Sequence, residues 1–319
     1  MSDKEHGAPD ASAAPAAAAA LRGQWRYAEP SAAHVSWRAG GPLARAYFPA
    51  DGDDFAAFLA SLRPDEPLLV IGKGSNLLVR DGGFEGTAVF TDAALKGLRL
   101  EADGTLYAEA GVSSPKVAAF AATSGLAGAE FLAGVPGTVG GALAMNAGCY
   151  GGETWNHVVR VLMVDRRGRQ VVREPGEFSV GYRRVGLVAA TDEVFAAAWL
   201  RFAPGDGGAA RERIRELLER RLATQPLQLP NAGSVFRNPP DDHAARLIEA
   251  AGLKGLRIGG AEVSQKHANF IVNAAGRATA AEIEATIGRV RDAVQEKFGI
   301  TLVREVRIVG EALRPAEGQ

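Results

Sequence analysis

One cysteine, Cys149, stands in 319 residues. An intrachain disulfide is therefore impossible, and a cluster of thiolate metal ligands is excluded. The five histidines, His6, His34, His157, His243 and His267, are scattered and form no His-Glu-x-x-His pair, so no zinc centre is expected. A reducing, cytoplasmic compartment fits this cysteine usage. Neither sign of charge dominates: the net charge of −1 advertises neither nucleic acid nor anionic membrane as a partner. No apolar run is long enough to span a bilayer. The run Ala13 to Leu21 is not read as a signal peptide, because Asp3 and Glu5 spoil a positive leading segment and Pro15 interrupts it. Residues 1–24 read instead as a disordered tail.

Hydrophobic residues at 47% and charged residues at 23% are ordinary for a globular protein, and the length suits two or three domains. Residues 35–50 open the folded part with a Gly-Gly-Pro turn and a strand. Asp53 to Leu62 carries Phe55, Phe58, Leu59 and Leu62 on one helical stripe. Short strands follow at Pro67 to Ile71 and Thr87 to Thr91, giving the element order of an α+β unit. Leu98 to Leu100 with Thr105 to Ala110, and Arg160 to Val164 with Gln170 to Arg173, read as hairpins. Between them Ser114-Pro115 opens a helix, with the serine as cap. Val194 to Phe202 is a further strand. Gly205 to Ala210 is a break and the candidate domain boundary. Helices are expected at Arg211 to Ala223, at His243 to Ala251, and behind a Thr279/Glu282 capping box that closes at Gly299. The last strand is Leu302 to Val309.

Two glycine loops carry the first chemical signal. The stretch Gly134 to Gly148 alternates glycine with small residues, and Pro136 stiffens its turn. Such loops let backbone N–H groups approach and surround an anion. Tight helix crossing explains Ala142 to Ala144 equally well, but not Gly134, Pro136 and Gly137. The second loop, Gly72-Lys73-Gly74-Ser75-Asn76-Leu77, follows a strand directly. It is not a Rossmann fingerprint, since Leu77 sits at the third glycine position, and it is no Walker loop. The two loops could clamp one pyrophosphate, or be unrelated turns. Ser234 lies in Asn231-Ala232-Gly233-Ser234-Val235, which is not a hydrolase elbow; it is a turn serine or a site residue. Glu305, in a strand of period two, is a site carboxylate or a plain ion-pair partner of Arg304 and Arg307. Arg183, after Tyr182, is a surface cation or a ligand.

Taken together, these segments resemble the UDP-N-acetylenolpyruvoylglucosamine reductases, flavoenzymes of bacterial cell-wall synthesis. The resemblance rests on Gly72 to Val79 with Asp81, on Gly128 to Gly152, and on Gly233-Ser234-Val235-Phe236-Arg237-Asn238-Pro239. It is extended by Gly252-Leu253-Lys254-Gly255 with Gly259-Gly260-Ala261, by Ser264 to Asn273, and by Glu305-Val306-Arg307. It covers residues 35–310. It implies two FAD-binding subdomains of the vanillyl-alcohol-oxidase type, residues 25–92 and 93–204, and a C-terminal α/β substrate domain, residues 205–319. NADPH would reduce a non-covalent FAD and leave, and UDP-N-acetylglucosamine enolpyruvate would then take up the hydride. The flavin would lie on Gly72, Lys73, Gly74, Ser75, Asn76 and Leu77, and on Gly137, Thr138, Gly141, Ala142, Asn146 and Gly148. Ser234 would donate the proton, Arg183 and Glu305 would stabilise the intermediate, and Tyr182 and Asn238 would touch substrate.

Two positions depart from the family pattern: Val185 replaces a serine, and Cys149 stands where alanine is usual. The short segment between Glu153 and Tyr182 marks the shorter class, without a tyrosine-bearing insert over the substrate diphosphate. A cytoplasmic monomer with no metal, no nucleic acid and no membrane insertion is expected. The alternatives are a flavin oxidase or dehydrogenase of the same fold acting on an alcohol or sugar, and a non-enzymatic nucleotide-sugar binding protein.

Overall fold

The computed structural model describes residues 20–189 and 192–313. The disordered tail expected at residues 1–24 therefore lies outside the described residues up to position 19. Its last part is ordered. Strand β1 (Gln24–Pro30) pairs antiparallel with β2 (Pro42–Phe48) along its whole length. The Arg22 main-chain N–H donates to Asp54 at 2.7 Å just before it. The folded part thus opens well before Val35.

Helix α1 (Gly52–Ser61) starts where Asp51 accepts from the Asp54 N–H, a local N-cap. Strands β3 (Leu68–Ile71), β4 (Leu77–Val79) and β5 (Phe84–Phe90) follow. The first sheet has the order β1-β2-β5-β3, with β5 parallel to both neighbours. Next come β6 (Leu98–Leu100), β7 (Leu106–Glu109), helix α2 (Ser114–Thr123) and helix α3 (Val139–Met145). The α2 cap is Ser113, not Ser114, and makes no side-chain bond; the Ser114 hydroxyl is buried instead. Strands β8 (Val158–Asp165), β9 (Gln170–Arg173), β10 (Phe178–Gly181), β11 (Arg184–Leu187) and β12 (Glu193–Leu200) complete this part. The second sheet is antiparallel with order β9-β8-β12-β7-β6. The apolar stripe of α1 fills the space between the sheets: Phe55, Phe58, Leu59 and Leu62 pack with Tyr47 and Val89 of one sheet and Val164 and Ala196 of the other.

The Gly205–Ala210 break is absorbed into helix α4 (Gly207–Thr224), because Asp206 accepts from the Gly208 and Ala209 N–H groups and starts the helix four residues early. This helix packs on α2. Beyond it lie α5 (Ala244–Ala250), a sheet of β13 (Arg257–Ile258), β14 (Ala261–Val263) and β15 (Ile271–Val272), helix α6 (Ala280–Phe298) and β16 (Arg307–Val309). The expected capping box is present: Thr279 accepts from Glu282, and Gly299 ends α6 at φ 69°. The expected strand from Leu302 is regular only from Arg307. The Glu305 and Val306 N–H groups both point to the Val235 carbonyl, at 2.8 and 3.4 Å, and that bulge breaks the period of two. Strand β16 runs parallel to β4, so the C-terminal segment returns to the loop after β3.

Candidate active site

The two glycine loops meet. A Cβ on Gly72 would lie 2.3 Å from the Thr138 hydroxyl, and a Cβ on Gly137, at φ 101°, would lie 2.6 Å from the Ser75 hydroxyl. Each loop makes room for the other's side chain, so they are one structure and not two unrelated turns. They form the floor of a cleft of about 950 Å³. Its volume is at the upper end for small-ligand sites, about 300–1,000 Å³. Gly72 to Leu77, Gly137, Thr138, Gly141, Ala142 and Gly148 all line it.

Arg183 enters the cleft from the tip of the β10–β11 hairpin. Its φ of 54° is left-handed, a strain of order 1–2 kcal/mol for a residue other than glycine. Three hydrogen bonds hold it there. Its Nε donates to Glu305 Oε1 at 3.1 Å, Nη1 to the Asn146 carbonyl at 3.0 Å, and Nη2 to the Gly148 carbonyl at 2.7 Å. Asn146, expected to touch the cofactor, does not line the cleft. It is buried, donates to Glu153 and the Gly181 carbonyl, and accepts from the Trp155 N–H. Its place is behind Arg183. Tyr182 is half exposed at the hairpin tip, with the Arg183 guanidinium 4.9 Å from its ring centroid.

Glu305 faces Arg183 from the bulge, and its carbonyl accepts from the Asn76 side chain at 3.2 Å. Burial pushes the Glu305 carboxyl up from its ordinary range; the charge and hydrogen bond of Arg183, and the charge of Arg237, pull it back. Ser234 shares this wall. The segment that carries it is clamped by buried Asn269, which donates to the Phe236 carbonyl and accepts from the Phe236 N–H. Asn238 lines the cleft too, and its side-chain oxygen accepts from Ala244, at the start of α5. Cys149 lines the cleft half-buried. Burial raises its thiol, which keeps it protonated.

Seven cations line the cleft: Lys73, Arg183, Arg184, Arg221, Arg237, Arg304 and Arg307. The acids are Glu193 and Glu305, each paired with an arginine. In a chain of net charge −1 this concentration fits anionic ligands. Arg237, Arg304 and Arg307 were not among the expected site residues. Their signal was present in the arginines flanking Glu305 and in the Arg-Asn-Pro after Phe236. Arg237 Nε is buried with no partner among the described residues. Among these residues no cluster of His, Cys, Asp or Glu could hold a metal ion, and no helix is long and apolar enough to cross a membrane.

Residues 43–173 match the FAD binding domain family, and residues 225–309 match the UDP-N-acetylenolpyruvoylglucosamine reductase C-terminal domain. The reductase of Methylococcus capsulatus is 58% identical over 92% of this chain and 96% of its own. That of Thiobacillus denitrificans is 54% identical over 91% and 94%. The crystal structure of the Thermus caldophilus reductase superposes with a TM-score of 0.74 at 30% identity, covering 90% of this chain and 98% of that one. The chain therefore belongs to the UDP-N-acetylenolpyruvoylglucosamine reductases, the FAD-dependent oxidoreductases of peptidoglycan synthesis.

Proposed function

We propose that this cleft reduces UDP-N-acetylglucosamine enolpyruvate to UDP-N-acetylmuramate with NADPH, and that Ser234, Arg183 and Glu305 carry the protein's share of the chemistry. FAD, when bound, would supply the redox chemistry that carries hydride from NADPH to the enolpyruvyl methylene carbon. Gly72 to Leu77, with Gly137, Thr138, Gly141, Ala142 and Gly148, would hold it. What remains for the side chains is a negative charge on the neighbouring carbon, shared with the substrate carboxylate, and one proton. Arg183 is the cation placed to hold that charge in a partly dry site. The carboxylate side chain of Glu305, 3.1 Å from the Arg183 Nε, holds that guanidinium in place for the intermediate. The Ser234 hydroxyl gives its proton to the carbanion; a weak acid suffices because the base is strong.

The observation that carries this reading is the Arg183–Glu305 pair at 3.1 Å, joined across 122 residues on the wall that Ser234 shares. The test is anaerobic spectroscopy. The purified protein should be yellow, bleach with NADPH and recover its colour with the enolpyruvyl sugar. Oxygen consumption driven by an alcohol would point to an oxidase of the same fold; a colourless protein that cannot take up FAD would point to a binding protein. We place the substrate domain at residues 225–313, since α4 packs with the second sheet's helices, and the FAD subdomains before it. The enzyme is assigned to the cytoplasm, where NADPH is made, as a monomer; light scattering should give a mass near 33.3 kDa.

A further inference from the structure

A guanidinium beside a carboxylate favours a two-bonded fork, yet Arg183 meets Glu305 through Nε alone, at 3.1 Å. Its two terminal nitrogens are held by the carbonyls of Asn146 and Gly148, at 3.0 and 2.7 Å. These bonds use three of the five guanidinium N–H groups, and the other two have no partner among the described residues. One residue fixes both ends of this arrangement. Asn146 ends α3 in left-handed geometry, φ 42°, which asparagine tolerates better than most residues. It is 2% exposed, and both polar atoms of its side chain are engaged. Nδ2 donates to Glu153 Oε2 at 2.9 Å and to the Gly181 carbonyl at 3.3 Å, and Oδ1 accepts from the Trp155 N–H at 3.1 Å. Gly181 ends β10, two residues before Arg183. The main chain of Asn146 thus holds the guanidinium, and its side chain holds the hairpin that delivers it.

We propose that Asn146 is a positioning residue for the reduction: from behind the cleft it sets where the Arg183 charge stands. An arginine released from its carbonyls is free to close the fork on Glu305, and its charge is then neutralised by that pair. Only an amide serves all three side-chain partners of Asn146, since two of them accept and one donates. Aspartate there would set a second carboxylate against Glu153. A misplaced cation slows the step in which negative charge develops, delivery to the enolpyruvyl sugar, and spares the reduction by NADPH. The proposal rests on the reading of Arg183 as the cation of that step.

The test is a double-mutant cycle on the FAD-loaded protein, read by stopped-flow absorbance. Glycine fits φ 42° and keeps the carbonyl, so Asn146→Gly removes only the side-chain bonds; flavin content and melting temperature serve as controls. NADPH bleaching should keep its wild-type rate, and reoxidation by the enolpyruvyl sugar should slow about 10- to 100-fold, the scale of a catalytic group displaced from a distance. In an Arg183→Ala background the same change should slow reoxidation no further, because its effect runs through the arginine. If Asn146→Gly does not fold or hold flavin, Glu153 decides. Glu153→Ala frees an Asn146 donor and should slow the same half, and Glu153→Gln, whose amide oxygen still accepts, should restore it. Wild-type reoxidation in Asn146→Gly, losses that multiply with those of Arg183→Ala, or equal slowing of both halves would overturn the proposal. Wild-type reoxidation in Glu153→Ala overturns it where that variant decides. Failure of the functional reading is seen separately, as an Arg183→Ala protein that reoxidises at the wild-type rate.

Discussion

In the proposed mechanism Ser234 and Glu305 act on the same proton and charge, and single substitutions separate their parts. Ser234→Ala removes one oxygen from a segment whose conformation is fixed by Asn269, so the protein should fold and purify yellow. Bleaching by NADPH needs no proton from the serine and should proceed at the wild-type rate. Reoxidation by the enolpyruvyl sugar should slow by about 10²–10⁴-fold, the usual contribution of a positioned general acid. Stopped-flow absorbance resolves the two halves; wild-type reoxidation in the variant would return Ser234 to the status of a turn residue. Glu305→Gln keeps size and a hydrogen bond to Arg183 but abolishes titration. NADPH bleaching should again be spared and the second half slowed, whereas equal slowing of both halves would point to a folding or flavin-binding role for Glu305. The residues that sequence alone marked were those with unusual local context: glycines beside Pro136, a serine after Gly233, an acid between two arginines. Asn146 shares its local context with the cradle, whereas its partners Glu153, Trp155 and Arg183 lie 7–37 residues away and could not be read from that context.

Elements were legible where a local cap or a long apolar stripe defines them. The helix after Thr279 and the stop at Gly299 need nothing beyond their own residues. Strand β1 was not foreseen as a strand because Gln24, Arg26 and Glu29 alternate with little that is aliphatic. Its place is set by pairing with β2 and by Trp25, whose ring lies 4.9 Å from Tyr47 and 5.7 Å from Phe58. The bulge at Glu305 was invisible for the same reason, since it is imposed by Val235, far away in the chain. If β1 is part of the fold, Trp25→Ala should lower stability by about 2 kcal/mol, roughly half the cost of a fully buried tryptophan. Denaturant unfolding checks this. A chain beginning at Ala20 should match the full-length protein, and one beginning at Ser31 should be strongly destabilised; equal stability of all three would make β1 an ornament of the sheet edge.

At the scale of the molecule, the question is what holds the Glu305 segment against the flavin loop. Asp81, named above only among the residues that carry the resemblance, does this from a distance. Its two carboxylate oxygens accept from the Ala280 and Ala281 N–H groups at 2.9 and 2.8 Å, across about 200 positions, capping α6 beside that helix's own Thr279. The adjacent Arg80 grips Glu284 of the same helix with two bonds, at 2.8 and 2.9 Å. Between them β16 pairs with β4, one residue after the flavin loop's Asn76. Asp81 also places negative charge at the positive end of a 19-residue helix. Asp81→Ala should therefore cost about 1–2 kcal/mol, with the helix surviving on Thr279. Asp81→Asn, which keeps an acceptor but loses the charge, should cost less. Hydrogen exchange distinguishes this cap from a general loosening. In Asp81→Ala the amides of Ala280 and Ala281 should exchange faster, while that of Glu282, held by Thr279 Oγ1 at 3.1 Å, stays protected. If all three amides exchange as in the wild type, Asp81 contributes nothing across the interface, and Arg80 with the β4–β16 pairing holds the substrate domain to the flavin loop unaided.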